Sequence, residues 1–336
     1  MSSQALSKNP SSPSSGGSSP KRPRTANVNT NNTTIDASND NKNTNINNHS
    51  DKDGDDYWRK PLKVMYQDDD MAIIVKPQGM PVHGCRPCLM KSDLLLALRS
   101  TKPKPKHKTT KREAKTAETS TVSSNPLGKP RLVHRLDAAT GGLLVVAKTY
   151  EAERQLKQSF ATKTDCHKRY QAIVIGKLEV TDDSKHDGFG ICEAAISGKP
   201  SVTRYKPLRQ VQSRSFGWLT LVDLELLTGR NHQLRRHMQH LGHPILGDKR
   251  YSLAGVKNHS TDTLPIANRA TYKFGNHPME KKLCLWSVGI KLPHPMTKEE
   301  ISCELSEPEW FQFVMQHEEE EWKAWKERQQ QENSSE

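Results

Sequence analysis

No apolar run in this 336-residue chain approaches the roughly 18 to 20 residues that a membrane helix needs, which argues against a helical membrane span. Cysteine is also sparse. Cys85, Cys88, Cys166, Cys192, Cys284 and Cys303 are scattered along a long chain with no secretory leader, a pattern that disfavours a disulfide framework and fits a reducing compartment. Cys85-Arg-Pro-Cys88 has no second CxxC to complete a zinc set, so even with His83 nearby two free loop thiols are expected. There is no internal repeat. The first 55 or so residues have almost no apolar side chains; Ser, Asn, Pro, Thr and Asp dominate, and such a segment cannot bury enough surface to offset the entropy of ordering. Residues 1–56 are therefore expected to be a disordered leader.

Acidic residues are outnumbered, 38 against 51 Lys and Arg, which gives a formal net charge of +13 and a pI near 9.4. A basic excess favours polyanionic partners, because neutralising phosphates releases condensed counterions. Within the leader, Pro20-Lys21-Arg22-Pro23-Arg24 has the form of a short nuclear signal. The acid-free stretch before Asp36 would suit an organellar transit peptide, but it contains Pro and Gly and lacks an Arg-rich amphipathic pattern. Nucleus or cytoplasm is the expectation, with an organelle as the alternative.

Order is expected to begin near Tyr57 and Trp58. Met71 to Lys76 is a β-branched run between an Asp cluster and Pro77-Gln-Gly79, as in a buried strand entering a turn, and a helix is expected over Ser92 to Arg99. Residues 101–130 alternate Lys with Pro and hold almost nothing apolar, so they read as a basic disordered insertion, either a solvated linker or a clasp on phosphates. Beyond it, strands are expected at Leu143 to Ala147, Tyr170 to Ile175 and Trp218 to Leu226, with helices at Tyr150 to Phe160 and His232 to Leu241. Helices that do not alternate strictly with strands indicate an α+β domain, taken as residues 57–315 and followed by a charged, helix-prone tail, 316–336, whose Glu318 to Glu321 form a solvated face.

Two clusters carry chemistry. Asp137 lies in Leu132-Val-His-Arg-Leu-Asp-Ala-Ala-Thr-Gly-Gly-Leu143, in a tight loop between Arg135 and the turn-formers Thr140, Gly141 and Gly142, just before an apolar run. A carboxylate serves as nucleophile or base only when its position is fixed and its charge controlled; alone, an ordinary turn aspartate is the simpler reading. The second cluster is Gly229-Arg-Asn-His-Gln-Leu-Arg-Arg-His237, a helix start rich in donors that favours anions, and Arg230 is the residue expected to pair with Asp137. His232, His237, His240 and His243 share a segment with no carboxylate or cysteine to complete a ligand set, so no metal is expected there.

Four stretches together resemble the RluA-type pseudouridine synthases: Lys76-Pro-Gln-Gly-Met80, the loop His134 to Lys148, Lys168-Arg-Tyr-Gln-Ala-Ile-Val-Ile-Gly176, and Gly229 to Tyr251 with its Gly-His-Pro-Ile-Leu-Gly-Asp248 continuation, nearest the branch of the tRNA pseudouridine synthase C type. The resemblance implies a mixed, largely antiparallel central sheet with flanking helices and loops. It implies uridine isomerisation in tRNA or rRNA without a cofactor, by a chain acting as a monomer with neither metal nor membrane. Asp137, Tyr170 and Arg230 would be catalytic; His134, Arg135, Thr140, His232, Gln233 and Arg235 would bind substrate. Gly141 stands where serine is common, Asn231 where threonine is, and Leu285-Trp286-Ser287 where Leu-His-Ala is. A non-catalytic RNA-binding or RNA-chaperone protein on the same fold is the rival reading, and a hydrolase pairing Asp137 with His134 or His232 is a more distant one.

Overall fold

The β-branched and alternating runs do become strands. The computed structural model describes residues 60–84, 88–99, 126–162, 166–180, 187–251 and 282–335. Within them the order is β1 (Lys63–Gln67), β2 (Met71–Lys76), β3 (Pro126–Leu132), β4 (Gly141–Thr149), α1 (Tyr150–Thr162), β5 (His167–Ile175), β6 (Gly190–Cys192), β7 (Thr203–Ser213), β8 (Gly217–Leu226), α2 (Gln233–His240), β9 (Leu285–Pro293), β10 (Glu300–Glu304) and α3 (Glu309–Asn333). The leader, Tyr57, Trp58, Cys85 and residues 101–125 lie outside the described residues. The last five residues assigned to the insertion, 126–130, instead open β3. That strand tolerates Pro126 and Pro130 because it pairs only with β4, in an irregular register, so its other edge needs no donors. The helix expected over Ser92 to Arg99 is a six-residue 3-10 segment, Asp93–Leu98, whose buried Leu95 and Leu98 are three apart, the spacing that a three-residue turn stacks on one face.

The ten strands form one mixed sheet in the order β1-β2-β4-β9-β5-β8-β7-β6, with β3 beside β4 and β10 beside β9. Every pairing is antiparallel except β4 with β9, and that parallel contact is only two residue pairs long, Gly141 with Trp286 and Gly142 with Ser287. Past it the two strands part, β3 taking the free side of β4 and β10 that of β9. The pair of glycines makes the junction: a Cβ on Gly141 would collide with the Trp286 ring, and one on Gly142, at φ 105°, with the Ser287 backbone. The Asp137 loop enters at this fork. On one face α1 buries Ala152 and Leu156 against Leu143, Val145 and Ala147, each large aliphatic contributing about 1.5–3 kcal/mol.

The C-terminal boundary differs from expectation. One helix, α3, runs from Glu309 across residue 316, and Phe311, Val314, Met315 and Glu318 are buried at i, i+3, i+4 and i+7, packed on β7. Glu318 is thus not part of a solvated acidic face: it is 1% exposed, and Ser213 Oγ, which accepts N–H bonds from Ser215 and Phe216, donates its proton to Glu318 Oε2 at 2.5 Å. Burial pushes the Glu318 carboxyl up to about 7, against the Ser213 bond and with Glu321 adding to it; Glu319 nearby is neutralised by Arg209 and Lys323. A raised carboxyl pKa means the folded state holds a proton that the unfolded chain releases between about pH 4.5 and 7, so stability falls across that window. Glu318→Gln removes this loss, worth at most about 3 kcal/mol. Thermal unfolding should show the variant several degrees more stable than wild type at pH 8 and no more stable at pH 4; a constant offset at both pH values would refute the assignment.

Candidate active site

Leu136 is buried in the core, and the next four residues form a turn closed by the Thr140 N–H donating to the Asp137 carbonyl at 3.1 Å. The turn is gripped from outside by the Lys76–Met80 stretch. Gly79 N–H donates to the Ala138 carbonyl at 2.8 Å, and Gln78 Nε2 donates to the Ala139 and Leu283 carbonyls, both at 2.6 Å. Lys76, 0% exposed, spends its ammonium on the carbonyls of Pro77 (2.8 Å), Met80 (2.9 Å) and Ala138 (3.2 Å). Burial pulls its pKa down to about 7, and the charge of Asp137 opposes that fall. The sequence marked this stretch only by resemblance, with no role for the lysine. Lys76→Met keeps the stem but removes the ammonium shared by the Pro77, Met80 and Ala138 carbonyls, of which Ala138 retains the Gly79 N–H, and so unties the two loops it joins. The expected outcome is a loss of about 2–4 kcal/mol, read as a fall in melting temperature, with a concurrent loss of activity.

The carboxylate of Asp137 meets α2. Arg235 Nη1 donates to Asp137 Oδ2 at 3.4 Å, and His232 Nε2 lies 3.7 Å from Oδ1. Arg230, expected as the partner, is not: its Nε donates to the Pro200 carbonyl at 3.2 Å on the exposed side. His232 adopts the left-handed conformation at φ 53°, so the chain turns between the two arginines and the helix begins at Gln233, placing Arg235 at the fork. Arg235 is held on its far side by Asp248, Nε to Oδ2 at 2.6 Å and Nη2 to Oδ1 at 2.8 Å, the fork-on-fork geometry of a strong pair. Burial works against the charge of Arg235, but Asp248 and Asp137 more than offset it and its pKa is raised. Tyr251 lies under the guanidinium, 5.0 Å from ring centre to Cζ, and its hydroxyl meets His232 Nδ1 at 3.0 Å. Asp137, Arg235, Asp248, Tyr251 and His232 thus close a ring of contacts. Burial lowers the His232 pKa, with Asp137 opposing.

The remaining predicted residues divide. Tyr170 is 5% exposed on β5; burial, with the charge of Asp137 adding, lifts its hydroxyl well above the usual phenol range, so it remains a phenol. Arg135 is exposed beside the turn. Thr140 is buried and closes the turn. His134 and Gln233 face inward. His134 Nε2 accepts the Val145 N–H at 2.9 Å with its ring on Phe160, and burial pushes its pKa down to about 3, so it is a neutral brace between β4 and α1. The Gln233 amide is spent on Thr228, Val202, Thr203 and the Arg230 N–H.

A family model described as RNA pseudouridylate synthase matches residues 70–240, half of the chain, and spans both clusters. The chain belongs to that family. Ribosomal large subunit pseudouridine synthase C of Vibrio vulnificus is 31% identical over 259 residues, 75% of this chain and 68% of the relative. Dual-specificity RNA pseudouridine synthase RluA of Haemophilus influenzae is 32% identical over 248 residues, 71% of this chain and 90% of the relative. The solved human RNA Pseudouridylate Synthase Domain Containing 4 is 25% identical, with coverage of 74% and 90% and a TM-score of 0.47. The RluA-type resemblance and the enzyme class, an RNA-modifying isomerase, therefore stand.

As a pseudouridine synthase the protein also shows where its other polar clusters go. Among the described residues, Asp68, Asp70 and His294 group their side-chain heteroatoms within 4.8 Å. Both oxygens of Asp68 are already engaged, by Tyr66 Oη–H and His294 Nε2 on one side and by the Asp70 and Met71 N–H groups on the other. His294 Nδ1 accepts the Met296 and Thr297 N–H groups, so Nε2 carries the proton it gives Asp68. This cluster latches the β9–β10 turn to the β1–β2 turn. His237 and His243 likewise bond to the carbonyls of Ala194 and Ile175. Asp248, Tyr251 and Lys76 are the site residues that inspection of the sequence missed; the one available signal was their place inside the quoted motifs.

Proposed function

We propose that Asp137 is the reacting group of this synthase and that Arg235, not Arg230, is its charge partner. The observation that carries the reading is the ring of contacts around Asp137, which holds one carboxylate at the sheet fork with an arginine on one oxygen and His232 near the other. Isomerisation breaks the N1–C1′ bond of a uridine, joins C5 to C1′, removes the C5 proton and returns a proton to N1, so no oxidant or external group is needed. Asp137 either attacks the sugar or removes a ribose proton. Tyr170 supplies a ring against which the freed uracil turns, and as a phenol it relays the C5 proton rather than holding it. Arg135, exposed beside the turn, enters the gap left when the target nucleotide swings out, a step that costs a few kcal/mol of unstacking.

The substrate in this reading is a uridine in structured RNA, ribosomal or transfer, because relatives named for the large ribosomal subunit and for dual specificity match the same region. Ribosomal and transfer RNA pools, each carrying tritium at C5 of uridine, separate the two when incubated with the protein. Release confined to one pool assigns the substrate class, and release from neither refutes the reading.

A further inference from the structure

Arg230 has been displaced from the reacting centre, and the structure shows what it joins. Residues 196–199 form a two-residue hairpin: the N–H groups of Ile196 and Lys199 each donate to the other's carbonyl, at 3.0 and 3.1 Å, with Ser197 at φ 54° and Gly198 at φ 72°. Such paired left-handed residues make a stiff primed turn. The hairpin is latched to the segment that holds Asp137. Arg230 Nε donates to Pro200 O, Arg236 Nη1 to Ser197 Oγ at 3.3 Å, and Gln233 Nε2 to Val202 O at 2.9 Å. Residues 197–200 are all exposed.

Part of the protein's basic charge is neutralised by carboxylates and part is not. Arg131, Arg154, Arg169, Arg204 and Arg209 each have a carboxylate partner, whereas Arg230, Arg236 and Lys199 have none among the described residues. From Gly188 to Val222 the only acidic residue is Glu193, and from Leu227 to Gly247 there is none. Cations kept free of carboxylates on a rigid support suit a polyanion, since no internal pair must be broken to bind it.

We propose that the Ile196–Lys199 hairpin, with Arg230 and Arg236 behind it, grips the phosphodiester backbone of the substrate RNA beside the nucleotide delivered to Asp137. This rests on RNA being the substrate. The hairpin is carried by the same helix start that places His232 and Arg235, so backbone capture and target placement are set by one rigid unit.

Binding of fluorescein-labelled single-stranded RNA is measured by anisotropy across a salt series for wild type, for Lys199→Gln, Arg230→Gln and Arg236→Gln singly and combined, and for Lys326→Gln on the exposed end of α3. Each hairpin variant is expected to flatten the slope of log affinity against log salt by about 0.7, and the triple variant by about 2. Lys326→Gln should not change it. Arg230→Lys with Arg236→Lys should restore the slope, because phosphate contact needs the charge whereas a purely structural role needs the guanidinium. An unaltered slope in the triple variant, an equal change in Lys326→Gln, or failure of lysine to restore it would overturn the proposal. Loss of the isomerase reading would appear separately, as RNA binding without tritium release.

Discussion

Asp137→Asn is expected to abolish tritium release from uridine-labelled RNA, by at least about 10⁴-fold in single-turnover rate, while RNA affinity changes by no more than a few-fold. The substitution is nearly isosteric, and the bonds to main-chain carbonyls that shape the turn, from Thr140 to the Asp137 carbonyl and from Lys76, Gln78 and Gly79 to its neighbours, do not involve the carboxylate. An amide neither attacks the sugar nor removes a ribose proton, so chemistry is lost whichever role the carboxylate plays. Binding persists because the cations proposed to hold phosphate lie elsewhere, Lys199 on the hairpin, Arg230 ahead of α2 and Arg236 on it. Residual release above about 1% of wild type would rule Asp137 out as the reacting group. Loss of binding in parallel would instead mean that the ring of contacts had collapsed, and a melting curve separates the two.

What could be read from the residues follows the range of the forces involved. β2, β4, β5 and β8 announce themselves as apolar runs of regular period, and α1 by Ala152 and Leu156 four apart, because each depends on its own segment facing a core. β3 was hidden by its prolines, which an edge position tolerates. β10 alternates short polar and apolar residues and exists because β9 offers a free edge once it leaves β4. Glu318 looked like one of four equal glutamates; only the packing of α3 on β7 makes it different.

The choice between Arg230 and Arg235 shows the same limit at the site. Both stand in a donor-rich segment after a strand, and a helix placed from His232 onward gives no means of deciding which reaches Asp137. The decision turns on the left-handed His232, a backbone feature that three-dimensional context imposes on a non-glycine residue. Asp248 arrives only after the chain has passed through α2 and the Val174–Ile245 bridge, and its bond to Arg235 spans 13 positions. Spacing brought the right segments under suspicion, while pairing needed the fold.

Arg235 is therefore where stability and chemistry should fail together, and the two effects can be separated. Arg235→Met leaves Asp248, whose side chain is 1% exposed, without its bidentate partner, although it retains the Arg250 and Tyr251 N–H groups. Stranding a buried carboxylate in this way costs about 3–5 kcal/mol, on the order of 10 °C in melting temperature for a domain of this size. The folded-state pKa of Asp248 is held low, chiefly by Arg235 acting against burial, so the stabilisation it provides is present at neutral pH and is lost as pH falls through the acidic range. Removing both partners in Arg235→Met/Asp248→Leu should recover most of the lost stability at pH 7, because the most deeply buried carboxylate, at 248, is no longer stranded. Activity should not recover, since Asp137 still lacks its cation. A double variant that regained both would make the pair purely structural, and one that regained neither would show that the loop after Ile245 needs the Asp248 carboxylate for its Arg250 and Tyr251 bonds more than for Arg235.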